Sequence, residues 1–184
     1  LTPLTLRGRS VGIAGLGRIG RAIAHRCEAF GLPVSYFGRT KKDDVPYPFY
    51  TDLVEMAAAV DTMILVTPGT AETQDMVNAD VLAALGANGV LINIARGSVV
   101  DETALIEALR ANTIAAAGLD VMKNEPNIDP TLMTLENCVL LPHVGSASLP
   151  TRIDMGSLVI NNLKAMVNGQ PPLTPVPETP FTGW

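Results

Sequence analysis

Short apolar runs rich in β-branched residues alternate along the chain with segments whose apolar positions recur at helical spacing. Residues 10–14, 34–37, 62–66, 89–94, 113–121 and 139–141 read as strands. Between them, Ile19 to Phe30 reads as a helix ended by Gly31 and Pro33. Asp52 and Glu55 form a capping box for a helix through Ala59. Asn78 to Leu85 reads as a short helix, and Asp101 as the N-cap of a helix to Ala111. Pro150 suits the first turn of a last helix reaching about Val167, with Gly169 after it. Residues 38–50 are polar and interrupted by Pro46 and Pro48, so a loop is expected there.

Strands that are apolar on both faces and separated by helices predict a parallel sheet covered on both sides. Right-handed crossovers make this a Rossmann-type doubly wound α/β fold with helices on both faces. The expected organisation is an NAD(P)-binding domain over residues 1–170, including the helix at about 150–167. A Pro-rich tail over 171–184 follows, with prolines at 171, 172, 175, 177 and 180.

Gly15-Leu16-Gly17-Arg18-Ile19-Gly20 is G-x-G-x-x-G. Alone it is a weak signal, and an ordinary glycine turn is its bland reading. Here it follows a strand and opens a helix, which is the context a dinucleotide fingerprint requires. Gly15 permits the tight turn, Gly17 lets a pyrophosphate approach the backbone, and Gly20 lets helix and strand pack closely. The helix N-terminus offers N–H groups to phosphate, and Arg18 can add a direct contact.

NAD-binding folds commonly end the second strand with an acid that reads the ribose hydroxyls. Here that place is taken by Gly38, followed by Arg39, Thr40, Lys41 and Lys42. An acid would repel a 2′-phosphate, whereas this cluster would accept one. NADP(H) is therefore the expected cofactor, with NAD(H) also possible; the alternative is a solvated charged loop, since Asp43 and Asp44 are close by.

In an open parallel sheet, ligands bind beyond the carboxyl ends of the strands. Three ionisable residues follow strand ends: Arg96, Glu125 and His143. Next to a nicotinamide this set suits reduction of a 2-oxo acid. Hydride transfer leaves an alkoxide that needs a proton, which a histidine can supply. A carboxylate fixes the ring, and an arginine binds the substrate carboxylate and polarises the ketone. Each residue alone would read as a surface charge; the conjunction carries the inference. His25, the other histidine, falls within the first helix and reads as a surface residue.

The chain resembles the coenzyme-binding domain of the D-isomer-specific 2-hydroxyacid dehydrogenases. The resemblance rests on residues 12–20, 91–101, 117–121, Asn124-Glu125-Pro126 and 141–147, and spans about residues 6 to 170. It implies that Arg96 binds substrate, Glu125 is the partner carboxylate and His143 the proton donor. It also implies that Thr67, Pro68 and Thr73 line the cofactor and that Asp120 is the acid near the nicotinamide amide. Ile19, Ile94, Ala95 and Gly145 lie within the matching segments and join Arg96 and His143 as expected cofactor contacts. Gly38-Arg39-Thr40 is similar to the NADPH-using glyoxylate and hydroxypyruvate reductase branch.

The resemblance further implies a second, substrate-binding domain, expected upstream of residue 1, and a homodimer. The expected activity is that of a D-2-hydroxyacid dehydrogenase, reducing a small 2-oxo acid such as glyoxylate or hydroxypyruvate. A different substrate such as 3-phosphoglycerate or phosphonate is the third reading. The alternative of another class is a truncated or corepressor-like dinucleotide-binding module without turnover.

Composition narrows the picture. The 184 residues are 47% hydrophobic and 17% charged, which excludes a disordered chain and points to surface that something else covers. A net charge of -5 argues against nucleic acid and anionic membrane as partners. The longest apolar stretches fall far short of the ~20 residues that span a bilayer, and Leu1 to Ser10 has no signal-peptide core. Cys27 and Cys138 are too far apart in sequence to suggest a metal pair or a disulfide framework. A cytoplasmic, metal-free protein is expected.

Overall fold

Alternation along each strand divides the apolar residues between two cores. A computed structural model describes residues 5–176 and Phe181. The strands are β1 (Val11–Ala14), β2 (Val34–Phe37), β3 (Phe49–Tyr50), β4 (Thr62–Leu65), β5 (Val90–Asn93), β6 (Ala116–Leu119) and β7 (Cys138–Leu140). They form one sheet in the order β3-β2-β1-β4-β5-β6-β7, with every ladder parallel. Val11 and Ile13 of β1, Val34 and Tyr36 of β2 and Ile64 of β4 face one core, together with Ala24 of α1 (Arg18–Ala29). Ala14, Met63, Leu65, Leu91, Ala117 and Leu119 face the other. That second core is completed by α2 (Leu53–Ala58), α3 (Ala79–Leu85) and α4 (Glu102–Arg110). The fold is thus the doubly wound α/β fold expected from the pattern.

Caps explain where the helices begin. Asp52 accepts from the N–H groups of Val54 and Glu55, Asn78 from Asp80 and Val81, and Asp101 from Ala104. Gly31, at φ +70°, follows the end of α1. At the amino ends of the strands, Asp61 accepts from Ser10 N–H (2.8 Å) and Ser10 Oγ (2.7 Å). Arg9 reaches the Asp61 and Asn88 carbonyls and Thr62 Oγ1.

Two local expectations are corrected. Residues 38–50 are not wholly loop, because Phe49 and Tyr50 add an edge strand beside β2. Pro46 and Pro48 cannot donate to a ladder, so pairing begins only where the prolines end, with Pro48 accepting from Tyr36 N–H at 3.0 Å. The strand expected over 113–121 is regular only over Ala116–Leu119. Short 3₁₀ turns at Ala71–Thr73, Gly97–Val99 and Leu132–Thr134 add to the elements that the hydrophobic pattern predicts.

The chain divides into two compact units, one ending at His143 and one beginning at Val144. The second contains α5 (Leu149–Val167), capped by Ser148 with Pro150 in its first turn. None of its residues is buried, and Leu149, Ile153, Val159, Leu163 and Val167 are among the exposed apolar ones. Asn162 holds Thr174 through two hydrogen bonds. Of the proline tail, Pro177 and Pro180 lie outside the described residues. Among the described residues, no helix is long and apolar enough to cross a membrane.

Candidate active site

One register row crosses the sheet: Phe37, Ala14, Leu65, Asn93, Leu119 and Leu140 are successive partners. All strands run the same way, so the loops that follow this row emerge on one edge. Gly15, Thr67, Arg96, Asp120, Glu125 and His143 all lie in those loops.

The first loops form a cleft of about 300 Å³ in which Gly15, Gly17, Gly38, Arg39, Thr40 and Lys42 meet Thr67, Pro68 and Thr73. Gly15 takes φ +105°, a conformation that favours glycine. A Cβ on Gly20 would lie 2.2 Å from the Gly15 carbonyl oxygen, so this glycine lets α1 pack against the turn. A Cβ on Gly17 would meet nothing within 4 Å. Gly17 N-caps α1 with no side chain covering the helix end, and Arg18 and Ile19 stand exposed beside it. The open space and uncapped N-terminus fit a pyrophosphate.

Lys42, rather than Lys41, lines the cleft; its N–H donates to Tyr36 Oη at 2.6 Å, and both lysines are exposed. Asp44 is tied to Arg21 at 2.9 Å and holds its carboxyl below the usual range through that bond. Glu72 also lines the cleft, opposite in charge to Arg39. Thr73 Oγ1 donates to the Pro68 carbonyl at 2.7 Å and accepts from Thr70 N–H at 2.9 Å, so it braces the cleft wall.

Arg96 is set by Asn93, which is 1% exposed. Asn93 Oδ1 accepts from Ala95 N–H (3.0 Å), and Nδ2 donates to the Arg96 carbonyl (3.1 Å). The signal for Asn93 was a polar residue closing the apolar strand Leu91-Ile92-Asn93. Ile94 is partly exposed and Ala95 buried. Gly69 sits close against the Arg96 stem, where a Cβ would meet Arg96 Cβ at 2.9 Å.

His143 Nδ1 lies 2.9 Å from Glu125 Oε2. Glu125 Oε1 accepts from Met122 N–H at 2.8 Å. Burial pushes the Glu125 carboxyl up, but the hydrogen bonds from His143 and Met122 outweigh it and hold it below its ordinary value. His143 takes φ +55°, an uncommon region for a non-glycine residue. Its N–H is held by the Asp120 carbonyl (2.9 Å) and the Leu141 carbonyl (3.1 Å). Strain of this kind, of order 1–3 kcal/mol, clusters at functional sites. Asp120 itself is buried. Gly145 belongs to the second unit.

Lys123, two residues before Glu125 in the chain, bonds to both Asp75 and Glu102, and none of the three carries a signal in the sequence. Among the described residues no cluster of three metal-ligating side chains occurs.

The family described as D-isomer specific 2-hydroxyacid dehydrogenase, NAD binding domain, matches residues 1–145. The chain is 50% identical over 169 residues to hydroxyphenylpyruvate reductase of Plectranthus scutellarioides, covering 92% of this chain and 54% of that protein. It is equally similar, over the same length and shares, to glyoxylate/hydroxypyruvate reductase A of Arabidopsis thaliana. A crystal structure of an NADPH-dependent glyoxylate/hydroxypyruvate reductase from Sinorhizobium meliloti, in complex with NADP and malonate, superposes with a TM-score of 0.95. It is 57% identical, over 98% of this chain and 57% of that one. The chain therefore spans about half the length of the relatives it matches.

Proposed function

Because the chain belongs to the D-isomer specific 2-hydroxyacid dehydrogenase family through its NAD binding domain, we propose that it is the nucleotide-holding part of an NADPH-dependent reductase of small 2-oxo acids. The observation that carries this reading is the His143–Glu125 pair, on the same sheet edge as an open glycine cradle.

Gly15, Gly17, Arg18, Ile19 and Gly20 would hold the pyrophosphate, and Arg39, Thr40 and Lys42 a 2′-phosphate. Thr67, Pro68, Thr73, Ile94, Ala95 and Asp120 would frame the rest of the nucleotide. When bound, NADPH supplies the hydride that reaches the keto carbon. Arg96 pairs with the substrate carboxylate and draws charge from the ketone oxygen. With Nδ1–H donating to Glu125, the ring's Nε2 is the atom that gives a proton to the forming alkoxide. The Glu125 carboxylate, ionised at neutral pH, then stabilises the imidazolium when the proton is restored.

Glyoxylate or hydroxypyruvate is the favoured substrate. The equal similarity to a hydroxyphenylpyruvate reductase keeps a bulkier 2-oxo acid as the second reading. The exposed apolar residues of α5 favour a homodimer, and the free thiols of Cys27 and Cys138 favour a reducing, cytoplasmic setting.

Titrating the chain with NADPH and NADH, then adding glyoxylate, is the test. Tighter NADPH binding followed by oxidation supports the reductase. Binding without oxidation, if it persists in a turnover-competent form of the protein, supports a dinucleotide-sensing module, and binding of neither nucleotide removes both. A monomer by light scattering at micromolar concentration would count against the dimer.

A further inference from the structure

Lys123 lies two residues before Glu125 and joins three loops. Its backbone N–H donates to Glu102 Oε2 at 2.8 Å, at the first turn of α4. Its Nζ lies 3.0 Å from Asp75 Oδ1, just beyond the Ala71–Thr73 turn that lines the nucleotide cleft. Asp75 is itself fixed, with φ +49° and its N–H on the Ser98 carbonyl at 2.8 Å. On the remaining side, Gly97 follows Arg96 and packs tightly against the same peptide. A Cβ there would meet the Met122 carbonyl carbon at 2.1 Å and Lys123 N at 2.5 Å.

As a contribution to stability the ion pair is minor. Its side chains are 36% and 39% exposed, and pairs of that kind contribute little. What matters is where it pulls. Met122 N–H, the backbone donor to Glu125 Oε1, belongs to the peptide just before the one that carries Lys123 N–H, and Lys123 lies between that donor and Glu125 in the chain. A displacement of residue 123 therefore changes the separation and angle of the bond that orients the Glu125 carboxylate. Hydrogen bonds from Gln74 and Lys123 hold the Asp75 carboxyl below its ordinary range, so it stays charged at neutral pH. Burial pushes the Glu102 carboxyl up, while the Lys123 N–H opposes that.

We propose that Lys123 is a positioning residue: anchored to Asp75 and Glu102, it holds the 122–125 turn so that Glu125 meets His143. This deepens the reductase reading and rests on it, because the aligned group is the partner of the proposed proton donor. Nothing in the glycine fingerprint or the strand-end triad requires a lysine here.

The experiment is carboxyl-carbon NMR titration of Glu125 in the chain, with glutamate labelled and Glu125→Gln used for assignment. Wild type is expected to titrate below the ordinary glutamate range. Lys123→Met moves the midpoint upward, toward the ordinary value, as the bonds from His143 and Met122 loosen. Asp75→Asn shifts it in the same direction, and Lys123→Arg keeps it near wild type. Thermal melting of each variant establishes that it is folded; if Lys123→Met does not fold, Asp75→Asn and Lys123→Arg decide. An unmoved midpoint in the folded loss-of-charge variants overturns the proposal, as does an equal shift in Lys123→Arg. NADPH titration of the same samples tests the reductase reading separately. A wild-type chain with a low Glu125 midpoint that binds neither nucleotide ends that reading and leaves the positioning role standing.

Discussion

Glu125 Oε2 and His143 Nδ1 stand 2.9 Å apart although the two residues follow different strands, β6 and β7. The contact commits Nδ1 to the carboxylate, so in the proposed reaction Nε2 is the atom that faces substrate. In a turnover-competent form of the protein, His143→Gln is expected to lower NADPH oxidation by roughly 10²–10⁴-fold, the usual worth of a general acid. NADPH affinity, read by fluorescence, should change less than about twofold, since no phosphate contact is lost. Turnover at the wild-type rate would remove His143 from the chemistry.

In the proposed reading Arg39, which lines the cleft, selects the coenzyme. Removing a charge-assisted bond loses roughly 1.5–3 kcal/mol, or about one to two powers of ten in affinity. Arg39→Ala should therefore weaken NADPH to that extent and leave NADH nearly unchanged. Equal weakening of both nucleotides would mean that Arg39 does not read the 2′-phosphate.

Two glycines of one motif should fail in different ways. Gly20→Ala places a methyl against backbone, 2.2 Å from the Gly15 carbonyl oxygen, and is expected to lower stability by about 1–3 kcal/mol in urea. Gly17→Ala meets open space in the free protein. It should melt close to wild type yet lose at least tenfold in nucleotide affinity. A destabilised Gly17→Ala with normal binding would invert the assignment.

Acid should weaken the fold through a defined set of carboxylates. Hydrogen bonds from the Ser10 backbone and hydroxyl hold the Asp61 carboxyl below its ordinary value. Glu125 is shifted in the same direction. A carboxyl depressed in the folded state stabilises it above the unfolded pKa, about 3.9 for Asp, and that stability is lost as pH falls through the folded value. Urea midpoints should be level from about pH 6 to 5 and fall below about pH 4. Asp61→Asn should lower the pH 6 midpoint and flatten the acid decline; an unchanged decline would show that Asp61 does not drive it.

Much of the site was legible because a parallel sheet converts sequence position into spatial position. Once the strands were read, the residues after Ala14, Asn93, Leu119 and Leu140 had to share an edge, whatever the details of their loops. Caps such as Asp52 and Asp101 were equally readable, since each acts within three residues. Long-range side-chain pairing had no such local signature. Asp75 and Lys123 are 48 residues apart and look like ordinary surface charges until folded. Nor did the sequence separate Lys41 from Lys42, which lines the cleft and whose N–H bonds to a tyrosine on β2. Thr73 lines the cleft, and the bonds that engage its hydroxyl within its own loop likewise had no local signature.

The all-parallel sheet also bears on how quickly the chain assembles. With no hairpin, no strand can pair with a sequence neighbour across a tight turn. The β1–β4 ladder, at the centre of the sheet, joins Val11 to Thr62 and Ala14 to Leu65, closing about 50 residues of chain before its first contact stabilises anything. Non-local pairing of this kind places refolding in roughly the millisecond-to-second range rather than microseconds, which stopped-flow fluorescence of Tyr36, packed against Phe49, can follow. The geometry that gathers the reactive residues on one edge thus also makes the chain wait for its own middle.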